Sequence, residues 1–321
     1  MPIKKTFKKI LPLIDSALLV PLAIATPVFK IFMKFGSHNL PICRKFLKST
    51  GVFPIRDHYY YPLFNDSRLT KSLREPRQLP GIDWKMEQQI SLLNSLTYAN
   101  ELIDLKLHDK SAGPLEFSFN NGNFESGDAE FLYQIIRHLK PKKIIEIGSG
   151  NSTKIAHKAV IRNYEETGAR AVHTCIEPYE MPWLEDLGVD TIRKLVEQCD
   201  IKMFEELGEN DLLFIDSSHI IRPQGDVLVE FLEIIPRLRS GVVVHIHDIF
   251  SPRDYLDEWV VEKVLFWNEQ YLLEALLGNT ARYEVLAAIN YLCHSNYDLL
   301  QRVCPYLEEG REPGSFYFRV R

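Results

Sequence analysis

Hydrophobic residues follow two rhythms along the second half of this chain. From about residue 124 onward, short apolar runs alternate with longer stretches in which apolar positions recur every three or four residues. FLYQIIRHL (131–139) has the helical spacing, KKIIEI (142–147) is a β-rich run, and GSGNST then opens a second helical stretch, TKIAHKAVIRNYEE (153–166). AVHTCIEPY (171–179) reads as a second strand, a third falls near Ile192 to Val196, DLLFIDSSH (211–219) is a fourth and GVVVHIHDIF (241–250) a fifth. A long helix from Tyr255 to Leu277 is expected next, followed by the strand-like RYEVLAAI and SFYFRV. Strands that alternate with helices in this way predict a doubly wound, mostly parallel α/β sheet. Ligands of such sheets sit outside the carboxyl ends of the strands, which is where every polar cluster of this region falls.

Upstream the pattern changes. GVFPIRDHYYYPLF, bracketed by Pro54 and Pro62, is extended and aromatic, and MEQQISLLNSLTYANELIDL is helical in spacing, so 51–123 is expected to form a helical cap or lid before a core domain at 124–321. His58 and Tyr59 to Tyr61 can face a substrate, although an aromatic cluster is more often packing. Residues 1–50 form a separate basic and apolar segment. Its run ILPLIDSALLVPLAIATPVFKIFM is the most hydrophobic stretch of the chain, but only fourteen residues between Asp15 and Lys30 are uncharged and Pro21 and Pro27 interrupt them. A full span wants ~20 apolar residues and is marginal here, and a secretory signal is disfavoured because no good cleavage site follows and the cysteine usage argues against export. Two readings stay open, a helix packed on the main domain and a segment of residues 1–35 lying on an anionic membrane surface.

Composition sharpens the picture only in places. With 45% hydrophobic and 25% charged residues the chain is ordinary for a globular protein. The net charge of −5 conceals an asymmetry, because residues 1–50 hold nine Lys and Arg against Asp15 alone and the body is correspondingly acidic. An acidic body without a basic, aromatic-studded stripe argues against a nucleic-acid partner. The five cysteines are scattered without a CxxC spacing, which fits reduced thiols in a cytoplasmic protein, with peripheral contact at the inner membrane face as the membrane variant.

The first chemical cluster is Glu146-Ile-Gly148-Ser149-Gly150-Asn-Ser152-Thr153. Glycines after a strand allow close approach of backbone to ligand, and the next helix offers its first amides to it. A dinucleotide fingerprint needs a third glycine where Thr153 stands, which disfavours NAD. Glu177, at the end of the second strand, is where a carboxylate commonly grips ribose hydroxyls. A ligand with a ribose and an ammonium group but no pyrophosphate suits both acids.

Those residues carry a resemblance. IIEIGSGNSTKIA resembles the first motif of class I S-adenosylmethionine-dependent methyltransferases, and Glu177 in IEPYE the second. FIDSSH with VVVHIHDIF is similar to a bacterial branch of them, and the likeness extends over roughly residues 50–321, leaving the first 45 or so outside it. The resemblance implies a Rossmann-like seven-stranded sheet with an N-terminal helical extension. It implies S-adenosylmethionine as cofactor, with Gly148, Ser149 and Gly150 along its methionine moiety, Glu146 near its ammonium group, Glu177 on its ribose and Asp216 at the cofactor edge. Ser152 stands where many relatives have a third glycine.

Methyl transfer to a hydroxyl needs the acceptor placed in line and its proton removed. His219, three residues past Asp216, is the leading general-base candidate, with His247 and Asp248 as partners at the acceptor. Asp216 and Asp248 end neighbouring strands and can share a divalent metal, although His247 in place of an acid or Asn suits transition metals better than Mg²⁺. His247 and Asp248 then act without metal in the alternative. Strand alternation puts His245 and His247 on one face and Asp248 on the other, with His245 in a buried structural hydrogen bond. The expected acceptor is an oxygen of a small molecule or of a glycan or lipid precursor. Two other functions stay open, an NAD(P)-dependent oxidoreductase and a non-catalytic membrane-associated binding protein that keeps the fold.

Overall fold

The computed structural model describes residues 10–57, 61–63, 65–105, 107 and 113–321. His58, Tyr59 and Tyr60 lie outside the described residues. The chain divides into two compact units, residues 1–70 and 71–321, so the lid expected over 51–123 falls partly in each.

In the first unit, α1 (Leu11–Phe35) and α2 (Pro41–Ser49) are joined by a turn at Gly36, whose φ of +81° suits glycine. Each helix has a proline in its first turn, Pro12 and Pro41, where the missing N–H breaks no bond. Phe32 is the one buried residue of α1 and packs edge-on against Phe53, ring centroids 5.8 Å apart.

The second unit is built on one sheet of seven strands: β1 (Lys143–Ile147), β2 (Val172–Ile176), β3 (Asp190–Ile192), β4 (Leu212–Ile215), β5 (Val243–Ile246), β6 (Tyr283–Ala288) and β7 (Phe316–Val320). Their order is β3-β2-β1-β4-β5-β7-β6, parallel except that β7 runs antiparallel to both β5 and β6. This is the doubly wound, Rossmann-like arrangement expected from the pattern. Its inner strands LLFI and VVHI are buried at every position because helices cover both faces. One face packs against the helices Asp128–Leu139 and Asn151–Thr167, and the other against residues 226–238 and the helix Glu269–Leu277. Strand order reverses between β1 and β4, which opens a crevice at their carboxyl ends.

Two elements differ from the pattern's expectation. The third strand is Asp190–Ile192, and Val196 already belongs to a short 3-10 turn. The expected helix 255–277 is broken: a π turn over Glu258–Glu262 ends at Val264, which takes a φ of +53°, and the regular helix begins only at Glu269. Side-chain periodicity continues across the gap, but Asn268 and Glu269 are drawn onto the loop after β4. Their backbone N–H groups donate to the His219 carbonyl at 2.9 and 3.2 Å, and Asn268 Oδ1 accepts from Ile221 N at 2.6 Å.

Candidate active site

The crevice between the ends of β1, β2 and β4 holds a cleft of about 290 Å³, lined among others by Gly148, Glu177, Leu195, Val196, Asp216 and Ser217. Gly148 takes a φ of +76°, and a Cβ there would lie 1.8 Å from the Asp216 carbonyl oxygen, so only glycine lets β1 turn against the end of β4. Glu177 leaves β2 with its Oε1 accepting the backbone N–H groups of Tyr179 and Glu180, each at 3.0 Å, and its Oε2 3.4 Å from Ser149 N. The carboxylate is thereby fixed between the glycine loop and the cleft. Gly150 N donates to Thr153 Oγ1 at 3.0 Å, so the residue that spoils a dinucleotide fingerprint serves as a cap for the helix that follows.

Glu146, expected near an ammonium group, sits beneath this loop rather than along the cleft. Only 1% exposed, it places Oε2 2.9 Å from His173 Nε2 and 3.4 Å from Cys175 Sγ. In-register pairing of Glu146 with Cys175 across β1 and β2 produces that contact. Burial and the neighbouring Glu146 charge push the Cys175 thiol well up, which keeps it protonated and unreactive.

A second cluster occupies the ends of β4 and β5. His219 Nδ1 lies 2.8 Å from Glu269 Oε2, while Nε2 lies 3.3 Å from Asp216 Oδ1 and 3.5 Å from Asp248 Oδ2. His247 Nδ1 is 3.4 Å from Asp248 Oδ1 and 3.6 Å from Asp216 Oδ1, and its Nε2 is 3.6 Å from Asp128 Oδ2. These longer separations are ion-pair contacts rather than hydrogen bonds. His219 and Asp248 both hold a φ of +60°, a left-handed backbone that is uncommon outside glycine and clusters at functional sites.

Burial disfavours charge on His219, but the carboxylates of Asp216, Glu269 and Asp248 outweigh it and hold the imidazole pKa well above its ordinary value. Burial likewise opposes charge on His247, which Asp248 and Asp216 then raise. Asp216 is held below the usual carboxylate range because His247 and His219 overcome its desolvation. Burial pushes Asp248 and Glu269 upward, and Glu230, buried near Glu269 and Asp226, further still. The protons belong to the cluster as a whole.

The structure thus brings Asp216, His219, His247 and Asp248 together and leaves Glu146 apart. It corrects the strand argument: regular alternation ends at Ile246, so the left-handed Asp248 folds back toward His247 instead of pointing to the opposite face. His245 makes no hydrogen bond among the described residues. It stacks on Tyr317, centroids 4.1 Å apart, and meets Phe214 edge-on at 4.6 Å. The pattern gave no sign of Glu269, Glu230 and Asp128, which are buried on helices covering the sheet. A carboxylate on an otherwise apolar helical face is the signal that marks them. Trp267 lies with its ring 4.3 Å from that of His219 and is only partly buried.

A nucleotide-type α/β fold thus carries a fixed carboxylate at the end of β2 and an acid and imidazole cluster at the ends of β4 and β5. Residues 145–249, from β1 to just past β5, match the family model of a methyltransferase domain. That stretch of the chain is accordingly a methyltransferase domain. The chain is 29% identical over 170 residues to an uncharacterized protein of Archaeoglobus fulgidus, covering 50% of this chain and 75% of that one. Among solved structures it is similar to an O-methyltransferase from Bacillus cereus in complex with SAH (14% identity, 74% of this chain and 98% of that one, TM-score 0.37). It is also similar to a TDP-rhamnose 3′-O-methyltransferase of calicheamicin biosynthesis (13% identity, 76% and 99%, TM-score 0.39).

Proposed function

We propose that the chain methylates an oxygen of a small molecule or of a glycan or lipid precursor, with His219 as general base. The observation that carries this reading is the buried Glu269–His219 hydrogen bond. A carboxylate on Nδ1 fixes the tautomer and aims Nε2 at the space between Asp216 and Asp248. That is the base and orienter geometry a hydroxyl acceptor needs. S-adenosylmethionine supplies the sulfonium-activated methyl group when bound. The fit for it rests on the cleft at the strand reversal, on the Gly148 close approach and on the Glu177 carboxylate fixed at the cleft. Gly148 to Gly150 would follow the methionine end and Glu177 the ribose, while Glu146, tied to His173, would support the loop from below. His219 takes the acceptor's proton, the Asp248 and His247 pair positions the acceptor, and Trp267 closes one wall against water.

A second reading has its own support. Ligand atoms of Asp216, His219 and Asp248 lie within 4.8 Å of one another, and Asp128, Glu230 and Glu269 add carboxylates that two imidazoles do not balance. Glu269 Oε1 and Glu230 Oε1 have no partner among the described residues. Such a donor set fits a divalent cation held by Asp216, Asp248 and His219 Nε2, which would lower the acceptor hydroxyl's pKa.

Calorimetry with S-adenosylhomocysteine tests the cofactor, and absence of binding would end the reading. Labelled S-adenosylmethionine with a metabolite extract, with and without EDTA, then separates the two mechanisms. Once an acceptor is known, His219→Ala should lower kcat by about 10²–10⁴ while cofactor binding survives.

A further inference from the structure

The first unit shows what α1 faces. From Leu11 to Ile24 every residue of the helix is exposed, including Leu13 at 72%, Leu22 at 58% and Ile24 at 70%. At ~100° per residue Leu22 and Ile24 point in opposite directions, so no face of the helix is polar. A helix lying in a membrane surface keeps one charged face in water, whereas one apolar all round is immersed. Charges are confined to its two ends, at Asp15, Lys30 and Lys34, with sixteen to twenty-nine free of them. That charge-free stretch extends about 21 Å into a hydrocarbon core of about 30 Å, and the lysine stems beyond it can reach the headgroups. The two hydroxyls within the helix need no water. Ser16 Oγ donates to Pro12 O at 2.9 Å, and Thr26 Oγ1 to Leu22 O at 2.8 Å. In contrast α2 is two-sided: Ile42 and Phe46, one turn apart, are 84% and 65% exposed, while Arg44, Lys45 and Lys48 occupy the rest of its surface.

We propose that α1 inserts into the hydrocarbon of an anionic bilayer and that α2 lies in its headgroup region, making this an integral rather than a surface-bound protein. The inference is independent of the methyl-transfer chemistry. Charge complementarity selects the occupant, since the four lysines before α1 and the cations after it both favour an anionic headgroup layer.

The test uses the full-length chain expressed in cells, with S-adenosylhomocysteine binding in detergent as a control for folding. The protein is expected to stay with the membrane fraction through high salt and alkaline carbonate, and to float with phosphatidylglycerol vesicles. Leu22→Lys and Ile24→Lys, on opposite faces, should each lower membrane partitioning by about a hundredfold without affecting that control. Release by salt alone, or tolerance of either lysine, would overturn insertion. So would recovery of a chain that has lost its first 35 residues.

Discussion

A methyl group added at Gly148 would meet the Asp216 carbonyl oxygen at 1.8 Å, and every Asp216 atom it meets is backbone, so no side chain can give way. Gly148→Ala is therefore expected to destabilise the protein by about 3 kcal/mol or more and to weaken cofactor binding together with stability. A denaturant midpoint equal to that of the parent chain would contradict the close approach. His245 leads to the opposite expectation. Burial and the neighbouring His247 charge hold its imidazole well below the ordinary histidine value, so it is neutral when folded. The unfolded chain takes up this proton as pH falls below about 6.5, and stability is lost in that direction. His245→Phe keeps the ring between Phe214 and Tyr317 and removes two buried nitrogens that lack partners among the described residues. It should be neutral or stabilising by about 1 kcal/mol at neutral pH, with a larger advantage at pH 5. Thermal unfolding at the two pH values checks both the sign and the slope.

The break before Glu269 shows where pattern reading stops being sufficient. Apolar positions from 255 to 277 keep a helical period, and the strand-end motifs were legible because buried strands are apolar runs that end at their polar residues. Nothing local in NEQYLL announces that Asn268 and Glu269 will be held by a loop fifty residues earlier, since that is a tertiary contact. The same limit hid Asp248's return toward His247, because period-two alternation holds only while the chain stays in the strand. The reciprocal clamp, in which His219 O accepts from Asn268 and Glu269 while Glu269 accepts from His219, gives Glu269 the place of a positioning residue for the proposed base. As the proposed base, His219 must lose its proton before it can accept one, and its neighbouring carboxylates shift that loss above the ordinary histidine range. The acidic limb of kcat/KM is thus expected above pH 6.5, with activity rising as pH increases. Glu269→Gln removes one of the charges that raise the imidazole pKa, so the limb should move to lower pH while kcat falls by about tenfold or more. A purely structural role for Glu269 would lower activity at every pH and leave the limb in place.

At the scale of the molecule, all seven strands, both large apolar clusters and every group of the candidate site lie within residues 71–321. In residues 1–70 the described α-helices carry exposed apolar residues, and the longer one a single buried side chain. The fold of the larger unit therefore depends on a core it completes by itself, and the cofactor cleft on backbone positions at the ends of β1, β2 and β4. A chain of residues 71–321 should fold cooperatively and bind S-adenosylhomocysteine within about threefold of the full-length affinity, because every group described at the candidate site and its partners lie within it. It should also lose all association with phosphatidylglycerol vesicles. Turnover is the measurement that separates two kinds of acceptor. If the acceptor is a soluble small molecule, removing residues 1–70 leaves kcat/KM unchanged. If it is a membrane-resident glycan or lipid precursor, the truncated chain retains activity toward the acceptor dispersed in detergent but falls by orders of magnitude toward the same acceptor in vesicles, since confinement to the same surface supplies the effective concentration.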